Sequence, residues 1–160
     1  MRSIAVPVSL LALASFPAPL AHAQQLTATE LSLGAATAMT HRSFVGAELA
    51  LAHRPAADTR VALALAGGTV AERAALRAQL TVQLLVNSAA RSGPGLYAGM
   101  GAAFSARRST PGQGFLAVLL GFEGAPGRRQ AWYAELGFAG GVRVAAGWRM
   151  RWFPSWWRDR

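Results

Sequence analysis

AALRAQLTVQLLV, running from Ala74 to Val86, sets the reading of the whole chain. Leu76, Leu80, Val82, Leu84 and Val86 fall at every second position or a multiple of it, with Arg77, Gln79, Thr81 and Gln83 between them. A period of two is the repeat of an extended strand, whose side chains point alternately to opposite faces. Ala71 to Leu80 is rich in helix-favouring residues, but the alternation from Leu76 to Val86 outlasts that stretch, so it is assigned to a strand.

The same period recurs on both sides. Upstream it predicts strands over Thr27–Ala38, Ser43–His53 and Thr59–Gly67; downstream, over Leu96–Ala106, Gly114–Glu123, Gln130–Ala139 and Val142–Phe153. The breaks carry turn chemistry. His53-Arg54-Pro55, Ser92-Gly93-Pro94-Gly95, Pro111-Gly112 and Gly124-Ala125-Pro126-Gly127 are expected to interrupt strands, and Gly140-Gly141 to make a two-residue hairpin. Eight alternating segments predict an all-β fold: a single eight-stranded antiparallel up-and-down barrel.

The first residues set an address. Arg2 is followed by a mostly apolar run from Ile4 to Leu20, and Ala21-His22-Ala23 offers a cleavage point before Gln24. Pro7, Pro17 and Pro19 argue against a spanning helix, so residues 1–23 are read as a secretory signal peptide. The barrel is expected over 24–153, and 154–160 form a short aromatic and basic tail.

Period alone does not say which stripe faces outward; composition does. Charged residues make up 14% of the 160-residue chain, against about 25% in ordinary soluble domains. The stripe opposite the bulky one is mostly Gly, Ala and Ser, too uncharged to coat a soluble barrel. Single charges interrupt it: Glu30, Glu48, Glu123 and Glu135, and Arg60, Arg77, Arg143 and Arg149. Enclosed in a narrow lumen, these carboxylates and guanidiniums would pair bidentately, which lipid-facing charges could not do. Phe104, Trp132, Phe138, Trp148, Trp152 and Phe153 gather near strand ends, where membrane-interface aromatics belong.

Taken together, the signal peptide, the eight strands and the aromatic last strand, Trp148-Arg149-Met150-Arg151-Trp152-Phe153, resemble the small outer-membrane β-barrels of the OmpA/OmpX type. The resemblance covers Gln24 to Phe153. It implies an outer-membrane location in a Gram-negative-type bacterium, with both mature termini on the periplasmic side. It also implies outer-membrane lipids as surroundings and the outer-membrane assembly machinery as a partner during insertion. The chain departs from the family in continuing past the terminal aromatic strand with Pro154-Ser155-Trp156-Trp157-Arg158-Asp159-Arg160, and in having minimal turns at Thr40–Arg42 and Gly140-Gly141.

Other chemistry is sparse. A net charge of +9 invites a nucleic-acid reading, but no ribonucleoprotein motif or Arg-rich helix is present, and anionic headgroups suit an exported chain better. All sixteen basic residues are Arg, and cysteine is absent, so no disulfide framework is possible. His53 has no partner at metal-ligand spacing, so neither metal nor cofactor is expected. His41 and Ser43 form a His-x-Ser pair faintly similar to that of outer-membrane lipid A deacylases. That family's pair lies late in the chain with an acidic partner, and here it does not. The function expected is structural support of the envelope without catalysis, with a side-chain-filled lumen. The alternatives are a lipid-modifying enzyme of the deacylase kind and a soluble periplasmic barrel binding an apolar ligand. The tail, through Trp156-Trp157-Arg158, is expected at the membrane surface and offers a periplasmic contact.

Overall fold

A computed structural model describes residues 26–107 and 110–158. The expected signal peptide and the last two tail residues lie outside the described residues. Eight strands follow in chain order: β1 (Ala28–Met39), β2 (Phe44–Ala56), β3 (Thr59–Val70), β4 (Arg73–Val86), β5 (Gly95–Arg107), β6 (Thr110–Glu123), β7 (Gln130–Ala139) and β8 (Val142–Trp152). A single helical turn, α1 (Ser155–Arg158), ends the described chain. Each strand pairs antiparallel with its sequence neighbour, and β8 returns to β1, closing an up-and-down barrel with no free edge.

The register sets the tilt of the strands. Stepping from Thr29 through His53, Val61, Val82, Met100, Val118, Phe138 and Val142 returns to β1 at Met39. That is a stagger of ten residues around eight strands. Strands must incline to accommodate such a stagger, and the resulting interior is just wide enough for side chains to fill.

Turn geometry follows local sequence. Ala71 and Glu72 both adopt positive φ (48° and 65°), making a two-residue hairpin whose twist matches its strands. Gly140 (φ 71°) and Gly141 (φ 151°) do the same between β7 and β8. The wall also requires glycine where strands crowd. A Cβ on Gly34 would sit 2.3 Å from the Ala146 carbonyl oxygen, and one on its partner Gly147 would sit 2.2 Å from that of Leu33.

Two expected breaks are strand instead. His53-Arg54-Pro55 lies inside β2, because a register shift between His53 and Ala56 accommodates the proline as a bulge. Pro111-Gly112 lies inside β6, ahead of the Ala117–Glu123 segment that pairs with β7, so the missing proline N–H costs no ladder bond on that side. The remaining differences are strand ends. β1 and β2 each begin one residue later than expected, and β8 stops at Trp152, leaving Phe153 outside it.

The two ends of the barrel differ. At the end opposite the termini the turns are short: 40–43, 71–72 and 140–141. At the end carrying the termini, the β4–β5 and β6–β7 connections span 87–94 and 124–129. The second of these folds inward. Pro126 is almost fully buried, Ala125 is 9% exposed, and the Gly127 N–H donates to the Ala90 carbonyl at 2.7 Å.

Candidate functional site

The bulky stripe of each strand faces outward. Leu49, Leu63, Leu84, Leu116, Trp132 and Met150 all belong to an exposed apolar band to which every strand contributes, and Leu116 reaches 72% exposure. The inner stripe holds the ions. Such an arrangement reverses that of a soluble barrel, which buries its apolar face.

Inside, one cluster lies near the terminal end. Arg60 and Arg54 are both wholly buried, as is Glu30. Arg60 spans the lumen, its Nε 2.9 Å from Glu30 Oε2 and its Nη2 2.9 Å from both oxygens of Glu123. Arg54 pairs with Glu30 through Nε and approaches Glu123 at 3.5 Å. Arg149 pairs with Glu123, and Arg151 Nη2 lies 2.9 Å from the same carboxylate. Four guanidiniums thus converge on Glu123, and Glu30 is the other counter-charge.

A second cluster lies further along. Arg143 Nη2 donates to both Glu48 oxygens at 2.7 Å, and its Nη1 donates to Glu135 at 2.7 Å. The Tyr97 hydroxyl donates to Glu135 Oε1 at 2.8 Å, and Arg149 Nη2 bridges the clusters at 3.7 Å from Glu135. Aromatic faces cushion the cations. The Arg149 guanidinium lies 4.7 Å over the Tyr133 ring, and that of Arg60 lies 4.9 Å over Tyr97. Neutral side chains complete the shell: Arg60 Nη1 donates to Gln83 at 3.1 Å, and Arg149 Nε to Ser32 at 2.9 Å.

All four sequence-derived glutamates therefore turn inward, together with Arg60, Arg143 and Arg149. Arg77 departs from the expected pairing. It is half-buried and donates to the Ala139 carbonyl, with its guanidinium 5.8 Å from the Phe44 ring centroid, and it acts on Glu48 only at longer range, since Glu48 and Glu135 pair directly with Arg143. Two arginines were not anticipated in the network. Arg54 was concealed by the turn-like His-Arg-Pro context, whereas Arg151 carried the right signal, lying on the same face of β8 as Arg143 and Arg149. Tyr97 and Tyr133 share strand faces with glycines and carried a weaker signal.

Along the axis, Ala38, Phe44, Ala66, Val70 and Ala75 form an apolar layer beyond the second cluster. At the terminal end, the carbonyls of Ser88 and Arg128 accept from Arg54 and Arg151 at 3.2 Å, tying the inward-folded connections to the ions. Between these limits a cavity of about 20 Å³ opens beside Tyr133, room for about one water.

The aromatic residues divide between the two ends. Trp132 faces Trp148 across the β7–β8 ladder, and Trp152 faces Thr29 toward the terminal end. Phe104 on β5 and Phe138 on β7 lie toward the other end, and all five are 47–66% exposed. Phe153 is half-buried, 6.0 Å from Trp157, whose indole N–H donates to the Gly127 carbonyl at 3.1 Å. Arg91 stacks over Trp157 at 4.5 Å and donates to its carbonyl, so the tail is seated on both long connections. His41 and Ser43 are exposed on the 40–43 turn; the Ser43 hydroxyl donates to the Thr40 carbonyl at 3.4 Å.

An apolar exterior, aromatic residues toward both ends and an enclosed ionic interior define the class as a transmembrane β-barrel. Solved structures agree on the fold. The chain is similar to the N-terminal β-barrel domain of Pseudomonas aeruginosa OprF, with a TM-score of 0.57, 14% identity, 81% of this chain covered and 98% of that one. It is also similar to Neisserial surface protein A, NspA, with a TM-score of 0.54, 13% identity, 78% of this chain covered and 96% of that one. No protein-family profile matches the chain, and none of the curated proteins does.

Proposed function

We propose that the protein is an integral outer-membrane β-barrel that supports the envelope mechanically and neither conducts solutes nor catalyses a reaction. The observation that carries this reading is the pairing of an exposed hydrocarbon band with a lumen occupied by ion pairs. A strand set with Leu, Val, Phe and Trp outermost needs lipid as its solvent, and closure satisfies every ladder bond inside it. The likeness to two barrels described as an OprF domain and a surface protein supports the outer-membrane address. In this reading the termini face the periplasm, outer-membrane lipids surround the wall, the assembly machinery inserts the chain, and the tail is free to touch a periplasmic partner.

The packed lumen disfavours an apolar-ligand carrier, since the interior offers charge where such a ligand needs hydrocarbon. The short outer turns leave little surface for adhesion. Fractionation tests the address. Retention in the membrane pellet after carbonate washing, with a mobility shift on boiling in detergent, is expected; release into the wash would overturn it. Planar-bilayer recording tests the filled lumen. The purified protein is expected to give no steady conductance step, and a reproducible one would refute the closed interior.

A further inference from the structure

At the end opposite the termini, above the apolar layer, the barrel opens into a cup of about 260 Å³. Arg42, Arg77, Arg107 and His41 line it, with Phe44 and Phe115 among its apolar walls. No carboxylate is among the described residues that line it. Glu72 sits exposed on the β3–β4 turn, outside the lining. From the lumen, Glu48 acts on Arg77 at longer range, while its direct ion pair, like that of Glu135, is with Arg143.

Three guanidiniums line one partly open space, and a bound anion placed there could take charge-assisted hydrogen bonds from more than one of them. Arg77 is the fixed member, half-buried and steadied by Phe44 and by the Ala139 carbonyl, which occupies one of its five donors. Arg42 lies on the 40–43 turn and Arg107 at the end of β5, and both line the cup.

We infer that this cup is a binding site for a phosphate monoester. The ligand class follows from charge and shape. A monoester carries about −1.5 to −2 at neutral pH and three terminal oxygens, matching several guanidinium forks where one carboxylate would leave charge uncompensated. The volume admits the phosphate with an attached sugar-sized group, and the aromatic walls suit the apolar face of that group. The same chemistry comes from two sources: a soluble phosphorylated compound, or the headgroup of a neighbouring lipid reaching over the short turns. The site depends on the barrel geometry alone, and only the lipid source also depends on the membrane reading.

Two arms separate the sources. In the first, the detergent-solubilised full chain is titrated calorimetrically with glucose 1-phosphate. In the second, phosphatidic acid retained by the protein is counted after extraction from phosphatidylcholine nanodiscs doped with that lipid. The rim pair, exposed Arg42 and half-buried Arg107, is removed as R42Q/R107Q, and R77Q is made separately. Loss of rim arginines is expected to weaken binding by about tenfold or more, the scale of one charge-assisted hydrogen bond. Dependence in the first arm assigns a soluble ligand, and dependence in the second assigns a lipid headgroup. Absence of binding in both arms, or affinities unchanged in R42Q/R107Q and R77Q, overturns the inference. A mobility shift on boiling, measured for each variant, distinguishes that outcome from failure of the barrel itself.

Discussion

Arg60 on β3 and Glu123 on β6 meet across the lumen, one guanidinium nitrogen 2.9 Å from both carboxylate oxygens. The contact joins walls that share no ladder bond, so it braces the barrel from within. It also concentrates risk, because Arg54, Arg149 and Arg151 rely on the same carboxylate.

Replacing Glu123 by Gln is therefore expected to be among the costliest single changes in the chain. Removing one partner of a buried pair typically costs about 3–5 kcal/mol, because the cations left behind remain dehydrated. Urea titration of the protein in detergent, followed by tryptophan fluorescence, should show a much lower midpoint for E123Q. The double variant R60Q/E123Q should lose less than the two single losses combined. A midpoint unchanged in E123Q would mean that water already solvates the cluster.

The seam where the barrel closes is the second sensitive place. Gly34→Ala drives a methyl into the Ala146 carbonyl and toward the Tyr133 hydroxyl, at 2.3 and 2.7 Å. Overpacking of this kind costs about 1–3 kcal/mol, more where backbone cannot yield. G34A should reduce the heat-modifiable fraction on a gel, whereas G114A, where an added Cβ meets nothing within 4 Å, should not.

The outward stripe can be tested by charge. Leu63 is 44% exposed and pairs with Leu51 and Leu80, well inside the strands. An arginine near the bilayer midplane of a barrel costs about 2–4 kcal/mol. L63R should fold less completely into phospholipid vesicles yet remain soluble in detergent micelles. Equal folding yields for L63R and wild type would place that face in water.

His41 lines the cup and Ser43 does not, the Ser43 hydroxyl donating to the Thr40 carbonyl instead, whereas a nucleophile–base pair needs the two side chains within hydrogen-bond reach. H41A/S43A is expected to leave the acyl-chain pattern of lipid A unchanged by mass spectrometry. A shift toward fully acylated species would establish deacylation.

The alternation from Leu76 to Val86 was legible because β4 pairs along nearly its whole length, so every second side chain meets one environment. The eight-stranded closure followed from repetition of that signal. Glu30, Glu48, Glu123 and Glu135 stood out for the same reason, as isolated charges on stripes of small residues. What remained hidden was non-local. The ten-residue stagger depends on all eight registers at once, and it sets which arginine reaches which glutamate. Arg54 was lost to a proline that usually ends strands but here sits at a bulge. Arg77 looked equivalent to Arg60 by pattern, yet its direct contacts are a carbonyl and an aromatic ring, with Glu48 acting on it only at longer range.

The contrast between brief turns at one end and elaborated connections at the other has an immunological corollary. In the proposed orientation, with its termini toward the periplasm, the barrel would offer the outside short hairpin tips such as Thr40–Ser43 and Gly140-Gly141 among the described residues. Antibodies and phages that grip protruding peptide would find almost no handle there. The epitopes that distinguish this chain would be concealed beneath the bilayer, around the inward-folded Pro126 and the seated Trp157.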